Sequence, residues 1–202
     1  MIQGTDEWKL ERLGKVTASR MDDLMAKTKT GYGAGRANYM AQLIAERLTG
    51  TPADNYTNAA MQWGTEQEPA ARAAYEFYRD MQVTEVGFIL HPSISDSGAS
   101  PDGLVGNHGL VEIKCPNTAT HIDTLLSGSI HGKYIKQMMW QMACTGRNWC
   151  DFVSYDPRMP ANLCMFVKRV ELNEAVINEM ESEVLYFMEE MNKKLEQLRS
   201  LY

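Results

Sequence analysis

The segment Ser100-Pro101-Asp102-Gly103 precedes a second segment, Gly109-Leu110-Val111-Glu112-Ile113-Lys114, and together they predict a β-hairpin. Gly106-Asn107-His108-Gly109 has the composition of a turn, and the apolar residues after it are typical of a short strand. Side chains alternate between the two faces of a strand, so Glu112 and Lys114 are expected on the same face. The hairpin would fold Asp102 back beside Glu112. We therefore expect two carboxylates and one ammonium group to converge.

These three groups suit the hydrolysis of a phosphodiester. Carboxylates are the hard oxygen ligands that Mg²⁺ prefers, and Mg²⁺ also binds phosphate readily. The ion lowers the pKa of a bound water and neutralises charge on a phosphoryl group. A neighbouring lysine can orient or deprotonate the attacking water, or stabilise the developing charge. The alternative is a β-turn at Pro101-Asp102-Gly103 and a Glu/Lys pair on an edge strand.

The composition is that of an ordinary globular protein. The chain has 202 residues, 44% of them hydrophobic and 23% charged, which predicts a single domain over residues 1–202. No apolar run reaches the ~18 residues that span a bilayer, and the N-terminus does not have the pattern of a signal peptide. The four cysteines form no CxxC pair. We expect reduced thiols in a cytoplasmic protein that has no membrane partner.

The net charge of −6 disfavours a simple nucleic-acid binder, because such proteins are usually basic. The charge is unevenly distributed, however. Residues 173–202 contain seven acidic and three basic residues, a balance of −4, whereas residues 1–50 contain eight basic and six acidic residues, a balance of +2. A nuclease that holds cations also needs a local acidic site, so the overall sign does not exclude DNA as a substrate.

The N-terminal part of the chain is predicted to be mainly helical. Thr17 is the expected cap of a helix from Ala18 to about Ala26. The basic, glycine-rich segment from Lys27 to Arg36 is predicted to be a loop, either a flexible surface loop or a mobile loop that contacts phosphate beside DNA. A break is expected near Gly64, with a second helix begun by Pro69. The predicted helices cover residues 5–14, 18–26, 37–48 and 58–80.

The rest of the chain alternates strands and helices, which predicts an α/β fold with a mixed sheet of about five strands flanked by helices. Asn173 is the expected cap of a long C-terminal helix whose apolar residues recur every three or four positions. Such a stripe indicates packing on the chain's own core or on a neighbouring subunit, with a coiled-coil seam as the alternative. The predicted strands cover residues 83–90, 97–100, 110–115, 149–155 and 163–170, and the helices 117–126, 133–144 and 173–200.

Seven short motifs occur in an order that is more specific than the hairpin alone. On these motifs the chain resembles the lambda-type (YqaJ-type) phage recombination exonucleases, which belong to the PD-(D/E)xK superfamily and have a restriction-endonuclease-like fold. The motifs are Trp8 with Arg12-Leu13-Gly14, Val16-Thr17-Ala18-Ser19, Trp63-Gly64 with Glu68, Ser100-Pro101-Asp102-Gly103-Leu104, Glu112-Ile113-Lys114-Cys115-Pro116, Tyr134 with Gln137 and Gln141, and Tyr155-Asp156-Pro157-Arg158-Met159.

The resemblance implies a role for each residue of the hairpin. Asp102, Glu112 and the backbone carbonyl of Ile113 resemble the ligands of a first Mg²⁺. Glu68 resembles the helix carboxylate that reaches a second metal ion or its water. Lys114 resembles the catalytic lysine.

The resemblance also implies a pocket for a 5′-phosphate, made by Arg12, Ser19, Ser100 and Gln137. A guanidinium fork, two hydroxyls and an amide are suitable donors to phosphate oxygens. A pocket of this kind would place the first internal linkage of the DNA over the metal ions. The alternative is that Arg12 is a surface charge and Ser19 a hydroxyl early in a helix.

The implied activity is 5′-to-3′ digestion of double-stranded DNA, which releases 5′-mononucleotides and leaves 3′ single strands for recombination by strand annealing. The implied cofactor is Mg²⁺, with Mn²⁺ able to replace it. Two ions per site, ~3.5–4 Å apart, would bracket the attacking and leaving oxygens. The implied working unit is a homotrimeric ring around DNA, and the implied partner is a single-strand annealing protein.

One position departs from the family pattern, because Pro92 stands where some relatives carry an acidic residue; Asp96 lies nearby in the sequence. Two other classes of function stay open. A sequence- or structure-specific endonuclease on the same fold would cut covalently closed circular DNA. A non-catalytic DNA-binding subunit would cut nothing, even with Mg²⁺ present.

Overall fold

The computed structural model describes residues 3–53 and 58–201. Residues 54–57, which belong to a connection predicted to be polar, lie outside these ranges. The helices are α1 (Asp6–Arg12), α2 (Met21–Leu24), α3 (Ala34–Thr49), α4 (Ala59–Arg79), α5 (Thr118–Ser127), α6 (Gly132–Thr145) and α7 (Glu174–Arg199). The strands are β1 (Val16–Thr17), β2 (Lys27–Thr28), β3 (Gly31–Tyr32), β4 (Val83–Thr84), β5 (Ile89–Leu90), β6 (Ser97–Ala99), β7 (Gly103–Val105), β8 (Gly109–Lys114), β9 (Trp149–Tyr155) and β10 (Met165–Glu171).

The central sheet has five strands in the order β10-β9-β8-β7-β4. Strands β8 and β9 run parallel, and the other neighbours are antiparallel. Helices α5 and α6 make the crossover between β8 and β9, as a parallel pair requires. A three-stranded sheet, β1-β6-β5, and the β2-β3 hairpin complete the strands described. The predicted mixed sheet of about five strands is therefore confirmed.

Helices cover both faces of the central sheet. Successive side chains of β8 point to opposite faces, so alternate residues of this strand pack with different helices. Leu110 packs with the cluster that includes α6 and α7, whereas Val111 packs with Ala71 and Tyr75 of α4. Each fully buried apolar side chain contributes roughly 1.5–3 kcal/mol. Glu112 and Lys114 share the face of Leu110, so the sheet directs them toward α6.

The long helix α7 lies on the core of its own chain, which is one of the two arrangements predicted from its apolar stripe. The Asn173 side chain caps it by accepting a hydrogen bond from the N–H of Val176. Its buried residues recur at three- and four-residue steps, and Leu198 beyond them is partly exposed. They are Ile177, Met180, Val184, Phe187, Met191 and Leu195.

Two predictions for the N-terminal region are wrong. Thr17 makes no side-chain cap; its N–H donates to the Tyr39 hydroxyl and its backbone pairs with β6, and a 3-10 turn (Ala18–Arg20) precedes the short α2. The segment 27–36 is not a loop, because β2 and β3 form a hairpin and α3 begins at Ala34. Tyr32 donates to Glu183 of α7, and buried Arg36 pairs with Glu190.

The predicted break in the fourth helix is also wrong, since α4 continues through both Gly64 and Pro69. A proline inside a helix removes one backbone hydrogen bond and normally kinks or ends the helix. Here buried Ala71 and Tyr75 anchor the second half of α4 to the sheet. A Cβ atom at Gly64 would lie 3.9 Å from the carbonyl oxygen of Cys115, an ordinary van der Waals contact, so α4 passes close to the end of β8 without requiring glycine at this position.

The predicted strand from Val83 to Leu90 is two strands in different sheets. Val83 and Thr84 pair with β7 in the central sheet, whereas Ile89 and Leu90 pair with β6 in the smaller sheet. The segment between them crosses from one sheet to the other. Strand β7 lies between the predicted strands 97–100 and 110–115, in residues that had not been assigned to a strand.

Within residues 3–53 and 58–201, no helix has the length and apolar character needed to span a membrane. All four cysteines are free thiols, as predicted.

Candidate active site

The β7-β8 hairpin brings the predicted acidic and basic groups together. Gly103 pairs with Val111, which turns the preceding Asp102 toward the end of β8. Asp102 Oδ2 accepts a hydrogen bond of 2.6 Å from the backbone N–H of Ile113. Lys114 Nζ lies 2.5 Å from Glu112 Oε1. The alternative of an exposed Glu/Lys pair on an edge strand is wrong, because β8 is an interior strand and Glu112 is fully buried.

Two glutamines of α6 hold the Glu112 carboxylate. Gln137 Nε2 donates to Oε1 and Gln141 Nε2 donates to Oε2, each at 2.6 Å. Residues four apart lie on the same face of a helix, so both amides reach the strand beneath. Gln137 was predicted to bind the 5′-phosphate, but the structure places it on this carboxylate. The role of Gln141 was not predicted, although its spacing from Gln137 was the available signal.

Burial and mutual charge set the protonation of this group. Burial raises the pKa of Asp102 well above its usual value, and the negative charge of Glu112 raises it further. Burial alone would lower the pKa of Lys114, but Glu112 and Asp102 raise it overall, so the side chain is an ammonium ion. The site therefore crowds two carboxylates around one cation, an arrangement that favours binding of additional positive charge.

Glu68 of α4 lies at the margin of the same site. Burial raises the pKa of Glu68, and the charge of Glu112 raises it further, while Arg72 and Lys114 oppose the rise. Its Oε1 pairs with Arg72 at 2.7 Å, and Arg72 also pairs with Glu85. Among the described residues, Glu68 makes no hydrogen bond to Asp102, Glu112 or Lys114.

The donor set fits a Mg²⁺ ion that keeps much of its water. Within the described ranges, no three histidine, cysteine, aspartate or glutamate side chains form a metal-binding cluster by themselves. Mg²⁺ in proteins is usually held by one or two carboxylates plus waters and substrate phosphate, not by a closed cage of side chains. Asp102 and Glu112, with the carbonyl of Ile113, are a set of that kind.

Asp96 does not take the place of the acidic residue that some relatives carry at the position of Pro92. Its Oδ2 accepts a hydrogen bond of 3.0 Å from Arg47 Nη2, and its backbone carbonyl pairs with the N–H of Val16. Pro92 is exposed. The carboxylates near the site are thus Asp102, Glu112 and, at the margin, Glu68.

A cavity of about 450 Å³ contains two of the four residues predicted to hold a 5′-phosphate. Arg12 and Ser19 both line it, and the Arg12 guanidinium lies 3.9 Å from the centre of the Trp8 ring. Trp8 Nε1 donates to Ser100 Oγ at 2.9 Å, which ties the cavity wall to the residue two before Asp102. Burial lowers the pKa of the Arg12 guanidinium, and Tyr39 and Glu46, which line the same cavity, oppose this fall.

Comparison with known proteins places the chain in a family. Residues 7–148 match the model of the YqaJ-like viral recombinase domain. This chain belongs to that family. The comparison with curated proteins gives no match.

The solved structures that resemble this chain are consistent with its membership of this family. The chain is 56% identical to an alkaline exonuclease (LHK-Exo) from Laribacter hongkongensis, with a TM-score of 0.91 and 97% of each chain covered. The structure of LHK-Exo in complex with dAMP gives 56% identity and a TM-score of 0.92, again over 97% of each chain. A phage related exonuclease from Haemophilus somnus 129PT is 14% identical, with a TM-score of 0.75 over 91% of this chain and 96% of that one, and shows the same fold.

These comparisons confirm the predicted family, the predicted fold class and the prediction that the chain is a nuclease. The family match spans the β7-β8 hairpin and the Arg12 cavity. The Tyr155–Met159 motif and α7 lie beyond the family match, and the comparison with LHK-Exo covers 97% of the chain.

Proposed function

We propose that this member of the YqaJ-like family is a Mg²⁺-dependent exonuclease that digests double-stranded DNA from a 5′-phosphorylated end. The observation that carries the proposal is the junction at Ser100 and Asp102. Ser100 is bonded to the wall of the Arg12 cavity, and Asp102 is bonded to the strand of Glu112 and Lys114. In this proposal, one short segment therefore joins the pocket for the 5′-phosphate to the cation-binding site.

Asp102 and Glu112, with the carbonyl of Ile113, would hold the first Mg²⁺, and Glu68 would act on a second ion or its water. When bound, the metal supplies Lewis acidity toward the phosphoryl oxygens and lowers the pKa of water. Lys114, as an ammonium ion beside Glu112, donates to the attacking water or to the charge that builds up on the phosphate. Gln137 and Gln141 keep the Glu112 carboxylate in one orientation.

The cavity of Arg12 and Ser19 gives the reaction its polarity in this proposal. A terminal 5′-phosphate bound there would set the first internal linkage at the Asp102 end of the connection. Each cut would release a 5′-mononucleotide and leave the 3′ strand intact for annealing. The likeness to LHK-Exo, a relative whose structure has been solved with dAMP, supports a nucleotide product.

The proposal includes a homotrimeric ring and a single-strand annealing partner, which are properties implied by the family resemblance. A ring with its acidic C-terminal surface outward would reconcile a net charge of −6 with DNA binding. Four free thiols accord with the reducing cytoplasm of a bacterial or phage-infected cell. Light scattering gives the mass of the assembly, and a mass of one chain would refute the ring.

The test uses linear duplex DNA with and without 5′-phosphates, together with closed circular DNA. With Mg²⁺ the wild type should convert phosphorylated ends to mononucleotides, act more slowly on dephosphorylated ends, and stop in EDTA. Equal cutting of closed circles would show an endonuclease instead. Absence of cutting on every substrate would show a binding subunit.

A further inference from the structure

The motif Tyr155–Met159 contributes an arginine that the proposed chemistry does not use. Arg158 follows the carboxyl end of β9 and forms an ion pair with Asp156, with Nε lying 2.7 Å from Oδ1 and Nη2 3.0 Å from Oδ2. Its guanidinium also stacks on the ring of Trp63, 4.5 Å from the centroid. The side chain is 45% exposed, although its aspartate partner is fully buried.

Asp156 holds this guanidinium in one orientation. The carboxylate accepts bonds from the Arg158 backbone N–H at 3.0 Å and from Thr118 Oγ1 at 2.6 Å as well as from the guanidinium. Burial would raise the pKa of Asp156, but the bonds from Arg158 and Thr118 lower it to about 2. The pair is therefore fully ionised at neutral pH. A side chain fixed in this way loses little further entropy when it binds a ligand.

The position of Arg158 relates it to the proposed active site. Nη2 also donates to the carbonyl of Pro116 at 3.3 Å, and Pro116 is only two residues beyond Lys114. Trp63 lies on α4, the helix that carries Glu68. Within residues 3–53 and 58–201, Nη1 of Arg158 has no hydrogen-bond partner. The planar guanidinium of Arg158 is thus held in one orientation at the edge of the proposed site, where it is partly open to solvent.

We propose that Arg158 is a DNA-binding residue that contacts a backbone phosphate next to the scissile linkage, with Asp156 and Trp63 as its positioning residues. The Nη1 group of Arg158 is left as a charged donor to a phosphate oxygen, and DNA bound at Lys114 must pass close to Pro116. This inference rests on the proposed nuclease function. It adds a contact outside the 5′-phosphate cavity, one that would hold the strand during each cut.

The chain offers a matched control in Arg169. Arg169 also pairs with a fully buried aspartate, Asp151, and stacks on a tryptophan, Trp149, at 3.5 Å. Its side chain is 37% exposed. Asp151 lies on β9, five residues before Asp156, which directly follows the strand; the separation is roughly 17 Å along extended backbone. The two arginines differ in their distance from the proposed site, and Asp151 additionally pairs with Arg79 and accepts a hydrogen bond from the Tyr75 hydroxyl.

The experiment measures DNA affinity against salt concentration for the full chain carrying Lys114→Ala, so that the bound DNA is not digested. A residue that neutralises one duplex phosphate contributes about 0.9 to the slope of log K against log[salt]. Arg158→Gln should reduce the slope by about this amount and weaken binding about tenfold. Arg158→Lys should keep the slope, and Arg169→Gln should change neither quantity.

Activity is measured in the otherwise wild-type chain. Arg158→Gln should raise KM more than it lowers kcat, as expected for a contact made equally in the ground and transition states. If Arg158→Gln does not fold, the double variant Asp156→Asn/Arg158→Gln removes the buried charge as well and must show the same loss of slope.

An unchanged slope in a folded Arg158→Gln variant, or an equal loss in Arg169→Gln, would overturn the inference. Failure of the proposed function can be distinguished from this result, because the wild-type protein would then digest no linear duplex DNA in the presence of Mg²⁺.

Discussion

Asp102 Oδ2 accepts a 2.6 Å hydrogen bond from the N–H of Ile113, the residue that lies between Glu112 and Lys114. The bond joins the two arms of one hairpin at their active-site end. It fixes the position of the first carboxylate relative to the second and to the ammonium group. The geometry of the proposed site is therefore set mainly by local structure.

Asp102→Asn should abolish activity without destabilising the protein. An amide oxygen can still accept the bond from Ile113, and removal of a crowded buried charge should leave the free energy of unfolding equal or higher by about 1 kcal/mol in EDTA. Mg²⁺ should raise the Tm of the wild type but not of the variant. Thermal unfolding with and without Mg²⁺ measures both effects. Asp123→Asn, at an exposed aspartate of α5, should retain the Mg²⁺ response.

Lys114→Ala should lower kcat by about 10²-fold or more, because the ammonium group beside Glu112 is lost. Lys133→Ala provides the control. Lys133 lies over the same Tyr134 ring as Lys114, at 4.8 Å against 5.4 Å, but its ammonium group has no contact with Glu112. Single-turnover digestion of linear duplex separates chemistry from binding. Equal losses in the two variants would argue against a specific role for Lys114.

Gln141→Leu should raise the Mg²⁺ concentration needed for half-maximal activity by about 10- to 100-fold, because a group that orients a metal ligand is lost. The buried Glu112 oxygen left without its donor should also lower the free energy of unfolding by about 1–3 kcal/mol. Mg²⁺ titration of activity and urea unfolding measure the two effects. Met138→Leu, a buried apolar change on the same helix, should leave the Mg²⁺ requirement unchanged. A similar rise in that variant would point to general loosening of α6.

Arg12→Ala should remove the preference for phosphorylated ends. The rate on 5′-phosphorylated duplex should fall to the rate on dephosphorylated duplex, which should itself change little, because only the former offers an anion to the guanidinium. Initial rates on the two substrates give the ratio. Lys9→Ala is the control, since Lys9 lines the same cavity but pairs with Asp6 at the surface. Retention of the preference in Arg12→Ala would place the 5′-phosphate elsewhere.

The Asp156–Arg158 pair should contribute pH-dependent stability. The folded pKa of Asp156, about 2, is below the ordinary value of 3.8 for an aspartate, so the stabilisation is present above about pH 4 and is lost as the pH falls toward 2. Because the arginine is partly exposed, solvent screening should make this contribution smaller than the pKa shift alone implies. Urea unfolding of the wild type and Asp156→Asn at pH 6, 4 and 2 should show a difference that shrinks only in the acidic interval. A difference independent of pH would contradict this assignment.

Sequence patterns predicted the parts of the site that are close in the chain. Asp102, Glu112 and Lys114 belong to one hairpin, whose turn and alternation are visible without a structure. Contacts between distant segments could not be predicted in this way. Examples are the hydrogen bonds of Trp8 with Ser100 and of Gln141 with Glu112. These contacts depend on how α1 and α6 pack against the sheets, which no local pattern encodes.

The failed predictions have the same origin. Pro69 indicates a helix boundary by local rules, but the packing of α4 on the central sheet outweighs the lost hydrogen bond. Arg36 was predicted within a flexible basic loop, yet it pairs with Glu190, 154 positions later. That the chain forms one domain, and that the named residues perform the proposed chemistry, stay predictions.

The position of α7 after the other described elements has a consequence during protein synthesis. The buried stripe of this helix completes a core that otherwise consists of α2, α3, α6 and the sheet. While α7 (Glu174–Arg199) is being made, which takes about 1–5 s at bacterial rates, the methionine-rich face of α6 lacks the helix that covers it. The nascent polypeptide should therefore expose an apolar surface until α7 has emerged from the ribosome and packed, and the folded nuclease should appear only after that step.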